Sequence, residues 1–324
     1  MASAVGVLFV MNEFELIRQF FVEPTTDAMV RLGIGDDCAI VAPQAGEEWV
    51  ITTDTLVAGR HFPLDTDAYS IGWKALAVNL SDVAAMGARP RMVLLALSVP
   101  DADPVWLAQF RQGLFDLAQQ HGVQLIGGDT TKSPLLSITI TALGSVASGQ
   151  AIRRSGAQVG DYVVVTGSIG DAAYALRHPH SALQHRLDRP IPRVAFAQGL
   201  RGVAHAMLDI SDGLAQDLGH LLRQSGVGAV LDWSAIPIHP LLAALPLPEQ
   251  QQLVLSGGDD YELCLTIAPH AWPVLQEWAA QTNTPVQVIG QITAQQGLSL
   301  SCQGQISAWT HTGFMHFDST TTSP

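Results

Sequence analysis

The stretch Tyr69–Val99, YSIGWKALAVNLSDVAAMGARPRMVLLALSV, decides the fold class. From Tyr69 to Gly87 it is rich in small and apolar residues and free of proline, which predicts a helix stopped by Gly87 and Pro90. Arg91 to Val99 is a nearly continuous apolar run and predicts a strand. Further on, Asp103 to His121 predicts an amphipathic helix with Pro104 near its first turn. Val123 to Ile126 predicts a short strand ending in Gly127-Gly128-Asp129, and Ser137 to Val146 a half-buried strand alternating Ile138, Ile140 and Ala142 with Ser and Thr. Toward the N-terminus, residues 12–21 predict a short helix, and residues 49–53 a strand running into Asp54. The second half predicts strands at Tyr162–Thr166, Ala229–Asp232, Leu263–Ile267 and Val286–Ile289, with helices at Asp212–Ser225 and His270–Gln281. Helices and strands mix without a strict β-α-β rhythm. That is the pattern of an α+β protein, with mixed, largely antiparallel sheets flanked by helices.

The turn-rich stretch Ala147–Asp161 marks a boundary between an N-terminal domain, residues 12–150, and a C-terminal domain, residues 151–317. Residues 1–11 are mildly apolar without a basic start, and are expected to be an extension rather than a signal peptide. The Ser/Thr-rich tail 318–324 is expected to be disordered. Weak self-similarity links Gly35-Asp36-Asp37 to Gly258-Asp259-Asp260, and Leu80-Ser81-Asp82 to Ile210-Ser211-Asp212, without the fixed period of a solenoid.

With 324 residues, 48% hydrophobic and 14% charged, the chain has ample material for a core. Its formal net charge of -13 argues against nucleic acid or an anionic membrane as partner. An anionic substrate would need neutralising by something other than the 16 Lys and Arg residues, and divalent cations are the obvious candidate. Three scattered cysteines with no Cys-x-x-Cys pair fit reduced thiols in a cytoplasm.

The chemistry lies in aspartates read at element ends: Asp36 and Asp37 after Gly33-Ile34-Gly35, Asp54, Asp82 three positions from Asn79, Asp129, and Asp209 and Asp212 around Ile210-Ser211. Buried and unpaired, such carboxylates repel and resist desolvation. Mg²⁺ resolves the conflict, because it takes oxygen ligands, keeps waters and joins a few carboxylates to substrate phosphates. The plainer reading of any one is a turn or helix cap, and Asp212 as cap of the following helix is the clearest instance. Gly167–Asp171 reads either as a phosphate-cradling turn into a helix or as a plain tight turn. His61, after Gly59-Arg60, reads either as a phosphate contact or as a loop residue. There is no Walker loop, no protein-kinase signature set and no recognisable nucleophile motif.

Taken together, Gly33-Ile34-Gly35-Asp36-Asp37, Thr53-Asp54-Thr55-Leu56-Val57-Ala58-Gly59 and the run Lys74–Ala88 closely resemble the thiamine-monophosphate kinase family. So do Leu125–Thr131, Arg154-Ser155-Gly156-Ala157, Asp209–Leu214 and Ser256–Leu263, all in family order over about residues 12–317. The resemblance implies the two-domain fold of aminoimidazole ribonucleotide synthetase-like ATP-binding enzymes. It also implies a homodimer that pairs its N-terminal sheets, with ATP, several Mg²⁺ and thiamine monophosphate as ligands. Carried over residue by residue, Asp37, Thr52, Thr53, Asp54, Asp82, Asp129, Asp209 and Asp212 resemble the Mg²⁺ ligands. Gly128, Asp129, Arg154 and Ser211 resemble ATP contacts, and His61, Asp259 and Trp309 substrate contacts, with Phe314 the alternative to Trp309. One departure stands out: Asp259 occupies a position where the family usually has Glu. The implied reaction is direct in-line attack by the acceptor phosphate on the ATP γ-phosphorus, with no covalent intermediate and no general base. The rivals are another enzyme of the same superfamily and a non-catalytic nucleotide- or thiamine-binding module.

Overall fold

A computed structural model describes residues 13–34 and 38–309. The expectations for residues 1–11, Asp36, Asp37, Phe314 and the tail lie outside the described residues. Helix α1 (Glu13–Phe20) precedes strands β1 (Val30–Leu32), β2 (Ile40–Val41) and β3 (Glu47–Val57). Helix α2 (Ala68–Ala85), β4 (Arg89–Val99), α3 (Pro104–His121), β5 (Gln124–Lys132) and β6 (Ser137–Ala147) follow. Next come β7 (Tyr162–Thr166), α4 (Asp171–Arg177), α5 (Gln184–Asp188), α6 (Val194–Gln198), β8 (Ala204–Asp209), α7 (Leu214–Ser225) and β9 (Gly228–Asp232). The described chain closes with α8 (Pro240–Ala243), α9 (Leu247–Ser256), β10 (Leu263–Ile267), α10 (Trp272–Gln281), β11 (Val286–Thr293), β12 (Gly297–Cys302) and β13 (Gln305–Ala308).

The fold is α+β with mixed sheets. One sheet has the order β3-β6-β4-β5, a second β13-β12-β9-β11-β7-β10-β8, and β1 pairs with β2. β4 and β5 run parallel, as do β9 and β12, whereas β10 pairs antiparallel with both β7 and β8. The described residues form two compact units. One holds residues up to Ala45 with Thr53–Leu76 and Arg91–Ala142; the other holds Gly46–Thr52, Ala77–Pro90 and the chain from Leu143 onward.

In the first unit α3 follows its sequence signals closely. Asp103 accepts the Val105 amide at 2.9 Å as N-cap, and Gly122 ends the helix at φ 63°. β5 departs from expectation. It does not stop at Ile126 but, after a register shift that skips Ile126, runs through Gly127-Gly128-Asp129 to Lys132 paired with β4. The reason is Gly128: a Cβ there would lie 1.8 Å from the Leu95 carbonyl oxygen, so the glycine admits close strand approach rather than making a turn. β3 likewise continues past Asp54 to Val57. Asp54 and Asp129 are therefore mid-strand residues, not strand-end residues.

The second unit is built on β7 and β10, whose apolar runs are buried at nearly every position. Val163, Val165, Leu208, Leu218, Leu221, Ile289 and Ile292 belong to one core cluster with Cys264. Against this core sits a buried charge cluster. Glu262, 1% exposed, receives two hydrogen bonds from Arg193 at 2.6 and 2.7 Å, one from Arg186 at 2.7 Å and one from the Thr166 hydroxyl at 2.6 Å. Burial pushes its carboxyl up, but the two arginines and Thr166 together hold it below the ordinary glutamate range.

Because its folded-state pKa is depressed, the stability Glu262 contributes is present above about pH 4.3, its ordinary value, and is lost as pH falls through the folded value. Glu262→Gln should therefore cost about 3–5 kcal/mol at neutral pH, by leaving buried arginine charge uncompensated. Urea denaturation at pH 7 and pH 4 should find a smaller loss on acidification in the variant than in the parent.

Candidate active site

The densest part of the site is made where two glycine-containing segments meet at the ends of β8 and β10. Asp209 closes β8 opposite Leu263. Beyond the strands the pairing continues: Ile210 N donates to Glu262 O at 2.8 Å, Tyr261 N to Ile210 O at 2.9 Å, and Asp259 N to Ser211 O at 2.8 Å. The approach is so close that a Cβ on Gly258 would lie 2.1 Å from Ser211 O, and one on Gly213 2.6 Å from Gly257 O. Asp259 and Tyr261 adopt φ 72° and 51°. Asp tolerates this left-handed region better than most residues with a Cβ, which fits Asp at 259.

Buried side chains hold the same segments. The Ser81 hydroxyl donates to Asp209 Oδ2 at 2.7 Å, and both residues are buried. Asp217, in the first turn of α7, accepts the Ser211 and Asp212 amides at 3.0 and 2.9 Å. Burial first, then the neighbouring Asp212 charge, raise its carboxyl to about 7 against the pull of the two amides and Arg154. Asp212 does not cap α7, as the plainer reading had it: Gly213 is the N-cap, and Asp212 Oδ2 accepts from Gln216 at 3.2 Å. Asp82 on α2 accepts from the Thr52 hydroxyl at 2.5 Å; burial raises its carboxyl, while Thr52 and Arg154 oppose the rise. Arg154 is an exposed residue whose charge is felt by Asp82, Asp217 and His220. Thr52, Asp82, Arg154, Asp209, Ser211, Asp212 and Asp259 thus all belong to the second unit.

The first unit carries Thr53, Asp54, His61, Gly128 and Asp129. Alternation along β3 places Thr52 and Asp54 on one face and Thr53 on the other, where its hydroxyl donates to Ile140 O at 3.1 Å. Asp129 is exposed on β5. His61 Nδ1 accepts the Val57 amide at 3.0 Å, which puts the ring proton of the neutral imidazole on Nε2. The His61 carbonyl accepts from the buried Lys74 ammonium at 3.3 Å. His61 therefore helps close its own turn, with its ring proton on Nε2. Trp309 packs partly against the second unit's core, its amide donating to Leu298 O at 2.9 Å.

The turn 167–171 resolves as a plain turn. The Gly170 and Ala172 amides, where a phosphate would sit, are taken by Asp260 at 2.7 and 3.3 Å. Asp260 is itself pushed up to about 8, chiefly by burial. Among the described residues no three His, Cys, Asp or Glu side chains converge as a preformed metal cage. The donors are nonetheless all oxygen, from Asp, Ser and Thr. That chemistry fits a hard cation that keeps its waters and shares substrate phosphates, and not a soft metal. The residue missed in sequence is Asp217. Its signal was an acidic residue at a buried position among Leu214, Leu218 and Leu221 on α7.

Two family models match the chain: AIR synthase related protein, N-terminal domain, over residues 35–146, and the corresponding C-terminal domain over residues 158–303. They define the class, AIR synthase related proteins. The thiamine-monophosphate kinase of Escherichia coli (strain K12) is 42% identical, over 94% of this chain and 98% of its own length. The crystal structure of thiamine-monophosphate kinase from Stenotrophomonas maltophilia K279a is 46% identical with a TM-score of 0.80, covering 84% of this chain and 91% of that one. The structure of AaThiL complexed with AMPPCP and TMP is 28% identical with a TM-score of 0.74, covering 85% and 89%. The chain belongs, within the AIR synthase related proteins, to the thiamine-monophosphate kinase family.

Gly258→Ala tests the segment contact directly. The added methyl meets the Ser211 carbonyl and must force the two segments apart, with an expected loss of about 1–3 kcal/mol from overpacking. A lowered melting temperature together with lowered nucleotide binding is the expected result; parent-like values for both would show that the segments separate freely.

Proposed function

We propose that this chain transfers the γ-phosphoryl group of ATP to thiamine monophosphate, yielding thiamine diphosphate. The observation that carries this reading is the pairing of segment 209–213, with Asp209, Ser211 and Asp212, to segment 257–262, with Asp259. One supplies oxygen donors suited to phosphate-bound Mg²⁺, and the other an anionic group suited to a cationic thiamine. The AaThiL complex with AMPPCP and TMP supports the same pair of ligands.

Phosphoryl transfer asks the protein mainly for positioning and charge neutralisation. The acceptor phosphate is already largely ionised near neutral pH, so no side chain need remove a proton from it. Bound Mg²⁺ supplies charge neutralisation between two polyanions. The residues that would hold it are Asp37, Thr52, Thr53, Asp54, Asp82, Asp129, Asp209 and Asp212. Gly128, Arg154 and Ser211 contact ATP, with Arg154 placing a positive charge at the Asp82 side. His61 offers its Nε2–H to the acceptor phosphate. Asp259 and Trp309 hold the thiamine by charge and cation–π attraction. We assign residues 12–150 and 151–317 to its two domains.

The reading extends to a cytoplasmic homodimer. Among the described residues no helix is long and apolar enough to cross a membrane, and Cys38, Cys264 and Cys302 are free thiols. The dimer is supported by an exposed sheet face bearing Thr53, Thr55, Leu94 and Ala96, where Thr53 meets Thr141 and Thr55 meets Thr139 through their hydroxyls. Light scattering at micromolar concentration should give twice 34.5 kDa, and a monomer mass would refute this assembly.

Mass detection after incubation with ATP, Mg²⁺ and thiamine monophosphate should find thiamine diphosphate, with none formed in excess chelator. Asp82→Asn should lower turnover about 100-fold or more, the scale of lost transition-state charge stabilisation. Free thiamine offers an alcohol that usually needs a general base and brings no phosphate for the metals. It should remain unconverted, and comparable turnover on it would overturn the acceptor assignment.

A further inference from the structure

We propose that Asp217 is a positioning residue of the phosphoryl-transfer site: it fixes the backbone of Ser211 and Asp212 and thereby the direction in which their side chains meet nucleotide-bound Mg²⁺. The proposal rests on the functional reading above. A single oxygen of Asp217, Oδ2, accepts two successive amides, at 3.0 Å from Ser211 and 2.9 Å from Asp212. The residue is 6% exposed. The rest of the segment is already committed elsewhere. Ile210 bonds through its amide to Glu262 and through its carbonyl to Tyr261, and the Ser211 carbonyl is taken by the Asp259 amide. The cap residue Gly213 has no side chain with which to bond the first turn of α7.

Between the end of β8 and the start of α7, Asp217 thus satisfies two successive amides, those of Ser211 and Asp212. Without it, each of these amides would seek water or a new acceptor. Either peptide can turn to a new acceptor only by giving up its carbonyl's bond to Tyr261 or Asp259, so loss of Asp217 loosens the segment that aims the Ser211 and Asp212 side chains. Asp217 itself faces inward, with Oδ2 turned to the segment's own N–H groups. That is the position of a group that orients ligands, not of a ligand. Removing such an outer partner typically costs 10–100-fold in metal affinity or activity.

The side-chain chemistry gives a clean separation. Both bonds fall on one oxygen, so Asp217→Asn keeps an acceptor for both amides while removing the charge, whereas Asp217→Ala removes the acceptor. The measurements are calorimetric binding of Mg²⁺ with the non-hydrolysable analogue AMPPCP, the Mg²⁺ concentration giving half-maximal turnover, and the melting temperature in chelator. Asp217→Ala should weaken Mg²⁺-dependent AMPPCP binding about 10-fold or more and raise the Mg²⁺ requirement similarly. Asp217→Asn should recover most of both losses. If Asp217→Ala does not fold, Asp217→Ser, too short to reach both amides, takes its place. A loss in Asp217→Asn as large as in Asp217→Ala would show that the charge itself is needed and would overturn the proposal. So would parent-like Mg²⁺ and AMPPCP behaviour in a folded Asp217→Ala that merely melts lower, the mark of a plain helix cap. Should the parent fail to phosphorylate thiamine monophosphate, the functional reading falls, while AMPPCP binding still decides the role of Asp217.

Discussion

The contact between Gly258 and the Ser211 carbonyl is the constraint from which the rest of the site follows. At that distance no side chain fits, and the two segments are joined backbone to backbone by the hydrogen bonds of Asp259, Tyr261 and Ile210. Asp209, Ser211 and Asp212 then share a scaffold with Asp259 although they are remote in sequence. The two left-handed residues at 259 and 261 are a cost of this arrangement, on the order of 1–3 kcal/mol each for a residue held there. The surrounding structure offsets it. Asp260 is tied to the first turn of α4 and Glu262 to two arginines, so both sides of the strained loop are anchored.

The motif Gly257–Leu263 therefore divides its acidic residues between two tasks. Asp260 and Glu262 are buried and bind the protein to itself; Asp259 is half-buried. The same division appears around Asp209, where Ser81 and Asp217 serve the protein while Asp212 remains only half-buried. A chain with net charge -13 that handles phosphates can keep carboxylates close only if each is either hydrogen-bonded inward or shared with cations. The structure shows the first arrangement directly, and the oxygen-only donor set is suited to the second.

Much of this was legible in the sequence, for physical reasons that differ by element. The apolar runs of β7 and β10 and the capped amphipathic α3 carry their own signals. Asp82 on α2 was readable from its spacing to Asn79. Asp54 and Asp129 were read as strand ends because Gly and Asp usually break strands. What local pattern cannot express is that Gly128 lies under the Leu95 carbonyl, a contact made by another strand. The edge strand β8, the short helices α5, α6 and α8 and the β12–β13 pair carry no such signal, because brief segments lack enough periodicity. Asp217 was passed over as an ordinary helical residue. Its importance depends on two amides in the preceding turn that the family motif names only by their side chains.

The sequence distance between the two paired segments has a consequence for biogenesis. A ribosome releases Asp209–Gly213 well before Gly257–Leu263, with α7, β9, α8 and α9 made in between. Until β10 emerges and takes its place between β7 and β8, Ile210 and the Ser211 carbonyl lack their backbone partners in residues 259–262. Pairings this far apart in sequence form late, after the entropy of closing the intervening chain has been met. The nascent chain thus carries most of its aspartates for much of its synthesis before this pairing exists, and gains it only once β10 is inserted between β7 and β8.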